Sequence, residues 1–132
     1  MDSSSFFTAR TVCQQWLDAV NARDLDAVVA LYAADAVLMP TFSPHVLRTE
    51  EQRRGYFASL AQQAALHVSL HEKTFSVQAT GSIKAASGIY CFRFEIDGEP
   101  LGFEARFSYV IDQAAARPIL HHHSSQIPRN LS

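Results

Sequence analysis

What most constrains this chain is a change of hydrophobic period partway along it. In the first half apolar residues recur at helical spacing, as in Phe6, Cys13, Trp16, Leu17 and Val20; from His67 onward they alternate every second residue. A helical pattern cannot bury its apolar face as a strand, nor the reverse. Helices therefore precede strands, which predicts an α+β domain with N-terminal helices packed on one face of a curved antiparallel sheet. At 132 residues the chain is expected to be a single domain over 1–132.

The serine cluster Ser3–Ser5 is a natural N-cap for the first helix. Asn21-Ala22-Arg23-Asp24 breaks that helix, and Leu25, Val28, Val29, Leu31 and Tyr32 predict a short second one. Ala36-Val37-Leu38-Met39, stopped by Pro40, predicts a short buried strand. After the loop Thr41 to His45, Thr49-Glu50-Glu51-Gln52 has capping-box spacing and opens a helix carrying Tyr56, Phe57 and Leu60. Alternation from His67 through Phe75 predicts one continuous strand. Gly81-Ser82 is a turn, Gly88 to Ile96 a strand, Asp97-Gly98 a hairpin signal, and Phe103 to Ile111 another strand.

With 48% hydrophobic and 18% charged residues and a formal charge of −2, nothing suggests a nucleic-acid or membrane partner. No apolar run approaches the roughly 18 residues of a membrane span, and the N-terminus lacks a basic leader. Cys13 and Cys91 sit far apart in apolar patterns, as reduced core thiols do. A cytoplasmic location is expected.

The concentrated polar chemistry is in Ile119 to Pro128, which holds three of the six histidines, His121, His122 and His123, followed by Ser124 and Ser125. In a strand, His122 and Ser124 share one face while His121, His123 and Ser125 share the other. Three neighbouring histidines therefore cannot ligate one ion. A His-x-His pair completed by His45, His67 or His71 would make a zinc site with an open position. Otherwise the segment is a strand whose polar groups are simply hydrogen-bonded. Alternation alone leaves open which face lines a pocket.

Tyr32-Ala33-Ala34-Asp35-Ala36-Val37-Leu38, the capped helix and the meandering strands resemble the cone-shaped nuclear-transport-factor-2-like superfamily. Within it, Leu38-Met39-Pro40-Thr41, Arg54-Gly55-Tyr56-Phe57, Gly88-Ile89-Tyr90-Cys91-Phe92, Ala105-Arg106-Phe107-Ser108-Tyr109 and His121 to Pro128 resemble a narrower group. It is related to the association domain of calcium/calmodulin-dependent protein kinase II and includes the iota-class carbonic anhydrases. Two positions depart from the pattern: Ala116-Arg117-Pro118 lacks a tryptophan usual before the histidines, and Ala86-Ser87-Gly88 lacks the usual aspartate.

The resemblance implies reversible hydration of carbon dioxide to bicarbonate without a metal, zinc being the alternative cofactor, in a homodimer. It implies that Thr41, Tyr56 and Ser124 or Ser125 hold water or bicarbonate, with Arg106, His121 and His122 assisting. Phe92, Phe94 and Phe107 would form the apolar wall. A histidine such as His123 would shuttle the proton, its type titrating at about 6.5 when unperturbed. Two alternatives stand beside this: a non-catalytic oligomerisation or small-carboxylate-binding module, and an isomerase- or cyclase-like enzyme using a carboxylate such as Asp35 or Glu104.

Overall fold

The computed structural model describes residues 3–128. Helix α1 (Ser3–Asn21) buries Ala9, Val12, Cys13, Trp16, Leu17, Ala19 and Val20 along one side. Ser3–Ser5, expected as the cap, lie inside its first turn; the cap itself falls outside the described residues. Helix α2 (Leu25–Val29) is capped by Asp24, whose carboxylate accepts from the Ala27 N–H at 3.0 Å. It ends before Leu31 and Tyr32, which were expected to continue it.

Tyr32 instead starts β1 (Tyr32–Met39), which is longer than the Ala36–Met39 strand read from the sequence. The reason is tertiary: Tyr32 pairs with Ile119, and the Ile119 N–H donates to the Leu31 carbonyl at 2.8 Å. Pairing with a distant strand outweighs local helical spacing. The register of β1 shifts between Tyr32 and Val37, and the buried Arg53 serves the carbonyls left there. Its guanidinium donates to Ala36 at 2.7 Å, Ala33 at 2.9 Å and Ala34 at 3.2 Å. Arg53 belongs to α3 (Glu50–Ala61), which opens with the expected capping box: Gln52 N–H donates to Thr49 Oγ1, and Thr49 N–H to Gln52 Oε1.

The alternation expected through Phe75 breaks after Leu70. β2 (Ala64–Leu70) is followed by a 3₁₀ turn (Glu72–Thr74) and then β3 (Ser76–Thr80). Thr74 causes the break: its hydroxyl donates to the His71 carbonyl at 2.7 Å and accepts from the Ile89 N–H at 2.8 Å. Such local side-chain bonds compete with a ladder. β4 (Ile83–Ile96) and β5 (Glu99–Asp112) form a long hairpin, and β6 (Ile119–Gln126) follows. The β4–β5 turn is at Asp97-Gly98, both at positive φ, 53° and 78°, as a tight hairpin turn requires.

The sheet runs β1-β6-β5-β4-β2, with β3 pairing β4. It is mixed rather than wholly antiparallel, because β1 and β6 are parallel. The strand bearing the histidines is thus held on both sides, with His122 opposite Leu38 on β1 and Tyr109 on β5. Trp16 of α1 sits at the centre of the concave face, stacked on Tyr90 at 5.3 Å and edge-on to His122 at 5.4 Å. Phe57, Phe92 and Tyr109 complete its aromatic surroundings. Cys13 and Cys91 are unpaired and buried. Among the described residues no helix is long and apolar enough to cross a membrane.

Candidate active site

The sheet decides the question that alternation left open. His122 and Ser124 face inward and are buried, whereas His123 is exposed and His121 and Ser125 are half-buried on the outer face. Opposite Ser124 on the inner face is Phe107, and opposite Ser125 on the outer face is Arg106.

Inside, a chain of hydrogen bonds crosses the core. The Trp16 indole N–H donates to the Tyr32 hydroxyl at 2.9 Å, which meets His122 Nδ1 at 2.7 Å. On the other side of the ring, Nε2 lies 3.2 Å from the Tyr90 hydroxyl. The Ser124 and Thr41 hydroxyls are hydrogen-bonded to each other and line the same small cavity as Tyr90. Thr41 reaches Ser124 because Pro40 ends β1 beside β6, where Met39 is paired with His123. Nearby, the Phe42 N–H points at the Tyr56 hydroxyl from 3.4 Å.

These groups surround a small cavity lined by Thr41, Tyr56, Tyr90, Phe92, His122 and Ser124. Reckoned for water centres it measures about 10 Å³, close to the space of one water. Phe42 closes the adjoining apolar side, packed edge-on against Phe92, Phe94 and Phe103 at 5.1–5.5 Å. Tyr56 also lines an outer depression with Phe42, Gln52 and Phe94. Thr41 and Ser124 line a second one with His45, His123 and Ser125. The hydroxyls therefore stand in the wall between the interior and the surface.

Burial controls the protonation of this region. It lowers His122 from 6.5 to about 3, with the neighbouring His121 and His123 adding to the effect. The imidazole is neutral near pH 7. Desolvation pushes Tyr32, Tyr56 and Tyr90 upward, so their hydroxyls stay protonated.

Of the residues expected at a site, Thr41, Tyr56, Ser124, His122 and Phe92 come together, with Phe107 stacked behind Tyr90 at 4.4 Å. The others do not join them. Arg106 and His123 are exposed and His121 and Ser125 half-buried, their side chains on the strand faces turned away from the cavity, although His123 and Ser125 share the outer depression with Thr41 and Ser124. His45, His67 and His71 are exposed and do not complete a ligand set with the histidine strand; among the described residues no three His, Cys, Asp or Glu side chains form a group able to hold a metal ion. Among the described residues no donor set for zinc is assembled. Asp35 and Glu104 are exposed, outside the cavity.

Three members of the network escaped sequence reasoning as polar participants: Trp16, Tyr32 and Tyr90. Tyr90 shares the parity of Phe92 and Phe94, and Trp16 lies on the apolar face of its helix, so both carried a signal of burial. Neither pattern says where an indole N–H or a phenol will point.

The model of the SnoaL-like domain matches residues 9–130. Among curated proteins none matches. A solved structure from Xanthomonas campestris, named provisionally as a calcium/calmodulin dependent protein kinase II association domain, is 25% identical with a TM-score of 0.82, covering 92% of this chain and 87% of its own. The calcium/calmodulin-dependent protein kinase II hub of S. rosetta is 17% identical with a TM-score of 0.77, covering 91% of this chain and 95% of its own. A Streptomyces avermitilis protein, provisionally named a dehydratase of the nuclear-transport-factor-2-like family, is 12% identical with a TM-score of 0.81, covering 98% of this chain and 100% of its own. With its helices on a curved sheet and a family match along almost its whole length, the chain belongs to the SnoaL-like domain family and has the nuclear-transport-factor-2-like cone fold.

Proposed function

We propose that this protein is a carbonic anhydrase of the iota class that hydrates carbon dioxide without a metal. The observation that carries this is the Thr41–Ser124 hydroxyl pair, joined across 83 residues of sequence in the wall of a water-sized cavity. Tyr56 and Tyr90 add phenols to the same cavity, and Phe92 supplies its apolar side. Short neutral donors suit the oxygens of a carbonate-like molecule. The resemblance of Leu38 to Thr41 and of His121 to Pro128 to that class points the same way.

None of these groups is a strong base near neutral pH, so the chemistry must avoid forming a charged one. A hydroxyl pair can do so by passing protons in concert. As the water oxygen bonds to carbon, one water proton moves onto the Thr41–Ser124 pair, and the pair releases another proton to a carbon dioxide oxygen. The product is carbonic acid, which yields its proton to solvent and leaves as bicarbonate. The cavity has room only for the water, so carbon dioxide meets it from the outer depression that Phe42, Tyr56 and Phe94 line. His122 has both ring nitrogens engaged and stays neutral, so it orients the hydroxyls rather than shuttling a proton.

Self-association as a homodimer accompanies this proposal, because relatives of the same fold are named for an association domain and a hub. The test is carbon dioxide hydration by stopped flow on metal-stripped protein, with and without added zinc, beside sedimentation to give the oligomer. Hydration that survives chelation is expected. Hydration seen only with zinc would overturn the metal-free mechanism, and none under either condition would leave assembly as the function.

A further inference from the structure

The direction of the hydrogen bonds running through the core follows from the one group in the chain that cannot reverse. An indole N–H is a donor only, whereas a phenol and a neutral imidazole can each run either way. Trp16 donates to the Tyr32 oxygen, and the next partner of that oxygen is His122 Nδ1 at 2.7 Å. With its oxygen occupied by the indole, Tyr32 turns its own proton to Nδ1. Nδ1 is then the acceptor, and the ring carries its proton on Nε2. That proton points to the Tyr90 oxygen, 3.2 Å away, which leaves the Tyr90 O–H to turn into the small cavity that Ser124 and Thr41 also line.

We infer that Trp16 is a positioning residue: by occupying the Tyr32 oxygen it locks His122 in the Nε2–H tautomer and turns the hydroxyls around the water-sized cavity into donors toward an anion held in the adjoining depression that Thr41 and Ser124 also line. The bonded Thr41–Ser124 pair uses one of its two protons between its own oxygens and leaves the other over, and the Tyr90 O–H faces the same cavity. Tyr56 adds another, because its oxygen accepts from the Phe42 N–H and among the described residues its O–H has no acceptor. In the opposite tautomer Nε2 would draw in the Tyr90 proton, and Tyr90 would present a lone pair to the cavity instead. The site would then favour a donor over an anion. Trp16, which lines the cavity while its N–H points into the core, thus sets the sign of a site that contains no charged side chain.

Only the identity of the anion rests on the proposed function. The test is ring ¹⁵N NMR of the whole protein near pH 7, with His122 assigned by the signal lost in His122→Asn. A pyridine-type Nδ1 and a pyrrole-type Nε2 are expected, and a pyrrole-type Nδ1 in the wild-type protein would overturn the inference without any further variant. In Trp16→Phe the two ring signals should move toward each other as the tautomers mix, and an unchanged pair would also overturn it. If that variant does not fold, Tyr32→Phe makes the same measurement with the indole retained. Titration with ¹³C-bicarbonate reads the consequence, at least a several-fold weakening in the variant that mixes tautomers. Bicarbonate that fails to bind a wild-type protein showing the expected tautomer refutes the carbonate reading and supports the tautomer assignment.

Discussion

The Tyr32 hydroxyl lies 2.7 Å from Nδ1 of His122, and both side chains are buried. A histidine so placed is neutral in the folded protein, with its pKa lowered from 6.5 to about 3. In the unfolded chain it binds a proton near 6.5, so between those values the unfolded state holds more protons. Stability should therefore be complete above about pH 6.5 and fall as the pH drops toward about 3, by on the order of 4 to 5 kcal/mol from this residue. Glu50 and Glu72, lowered by Arg117 and Arg10, act in the same direction but only at carboxylate pH. Urea unfolding followed from about pH 7 to about pH 5 isolates the histidine. A flat midpoint over that interval would contradict a buried neutral His122.

Thr41→Val keeps the shape of the side chain but removes the hydroxyl bonded to Ser124. Hydration should fall by roughly 10² to 10³ in kcat while the folded spectrum is retained, a size typical of losing one preorganised donor. Ser124→Ala should do the same, and the double variant should cost little more than either alone, because the two hydroxyls act as one unit. Additive losses would argue against a shared proton relay.

The outer face supplies the converse. Arg106 and His121 are on the opposite face of the sheet and line neither the cavity nor the depression beside Thr41 and Ser124. Alanine at Arg106 or His121 should leave bicarbonate affinity and kcat unchanged in stopped-flow and NMR titration. A large loss in either would mean that the chemistry lies on the outer face after all.

Arg53 is buried without a carboxylate and gives its guanidinium to the carbonyls of Ala33, Ala34 and Ala36. Arg53→Met fills similar volume but strands the buried Ala36 carbonyl, whereas those of Ala33 and Ala34 lie nearer the surface. Unfolding free energy should drop by roughly 1 to 3 kcal/mol, the cost of one buried unpaired group. Because β1 leads into Thr41, activity should fall in the same variant even below its melting temperature.

Thr49 offers a milder check. Its hydroxyl and the Gln52 side chain satisfy two helix-end N–H groups reciprocally. Thr49→Ala should cost about 1 kcal/mol in thermal unfolding, with the cavity undisturbed.

Much of the architecture was legible because it is written in local chemistry. The capping box at Thr49 and Gln52, the Asp97-Gly98 turn and the alternation of β5 each depend on residues within a few positions of one another. Where the expected elements failed, a distant partner or a competing local bond intervened: Ile119 drew Tyr32 out of a helix, and Thr74 ended the ladder after Leu70. The site was half legible. The resemblance points to Thr41, Tyr56 and either Ser124 or Ser125 together with Arg106 and His123, and residue type carries no information on which of them a strand turns toward the cavity.

The histidine run is where the two levels part. The sequence by itself determined that Ile119–Gln126 alternates, and hence that His122 and Ser124 oppose His121, His123 and Ser125, because a strand has a period of two. Only the tertiary structure decided which set is inside. That choice was made by Leu38 and Tyr109, the buried neighbours of His122 on either side, and by Trp16 across the core. Burial on that face then stripped His122 of its charge and turned a conspicuous run of bases into one neutral link between an indole and a pair of hydroxyls.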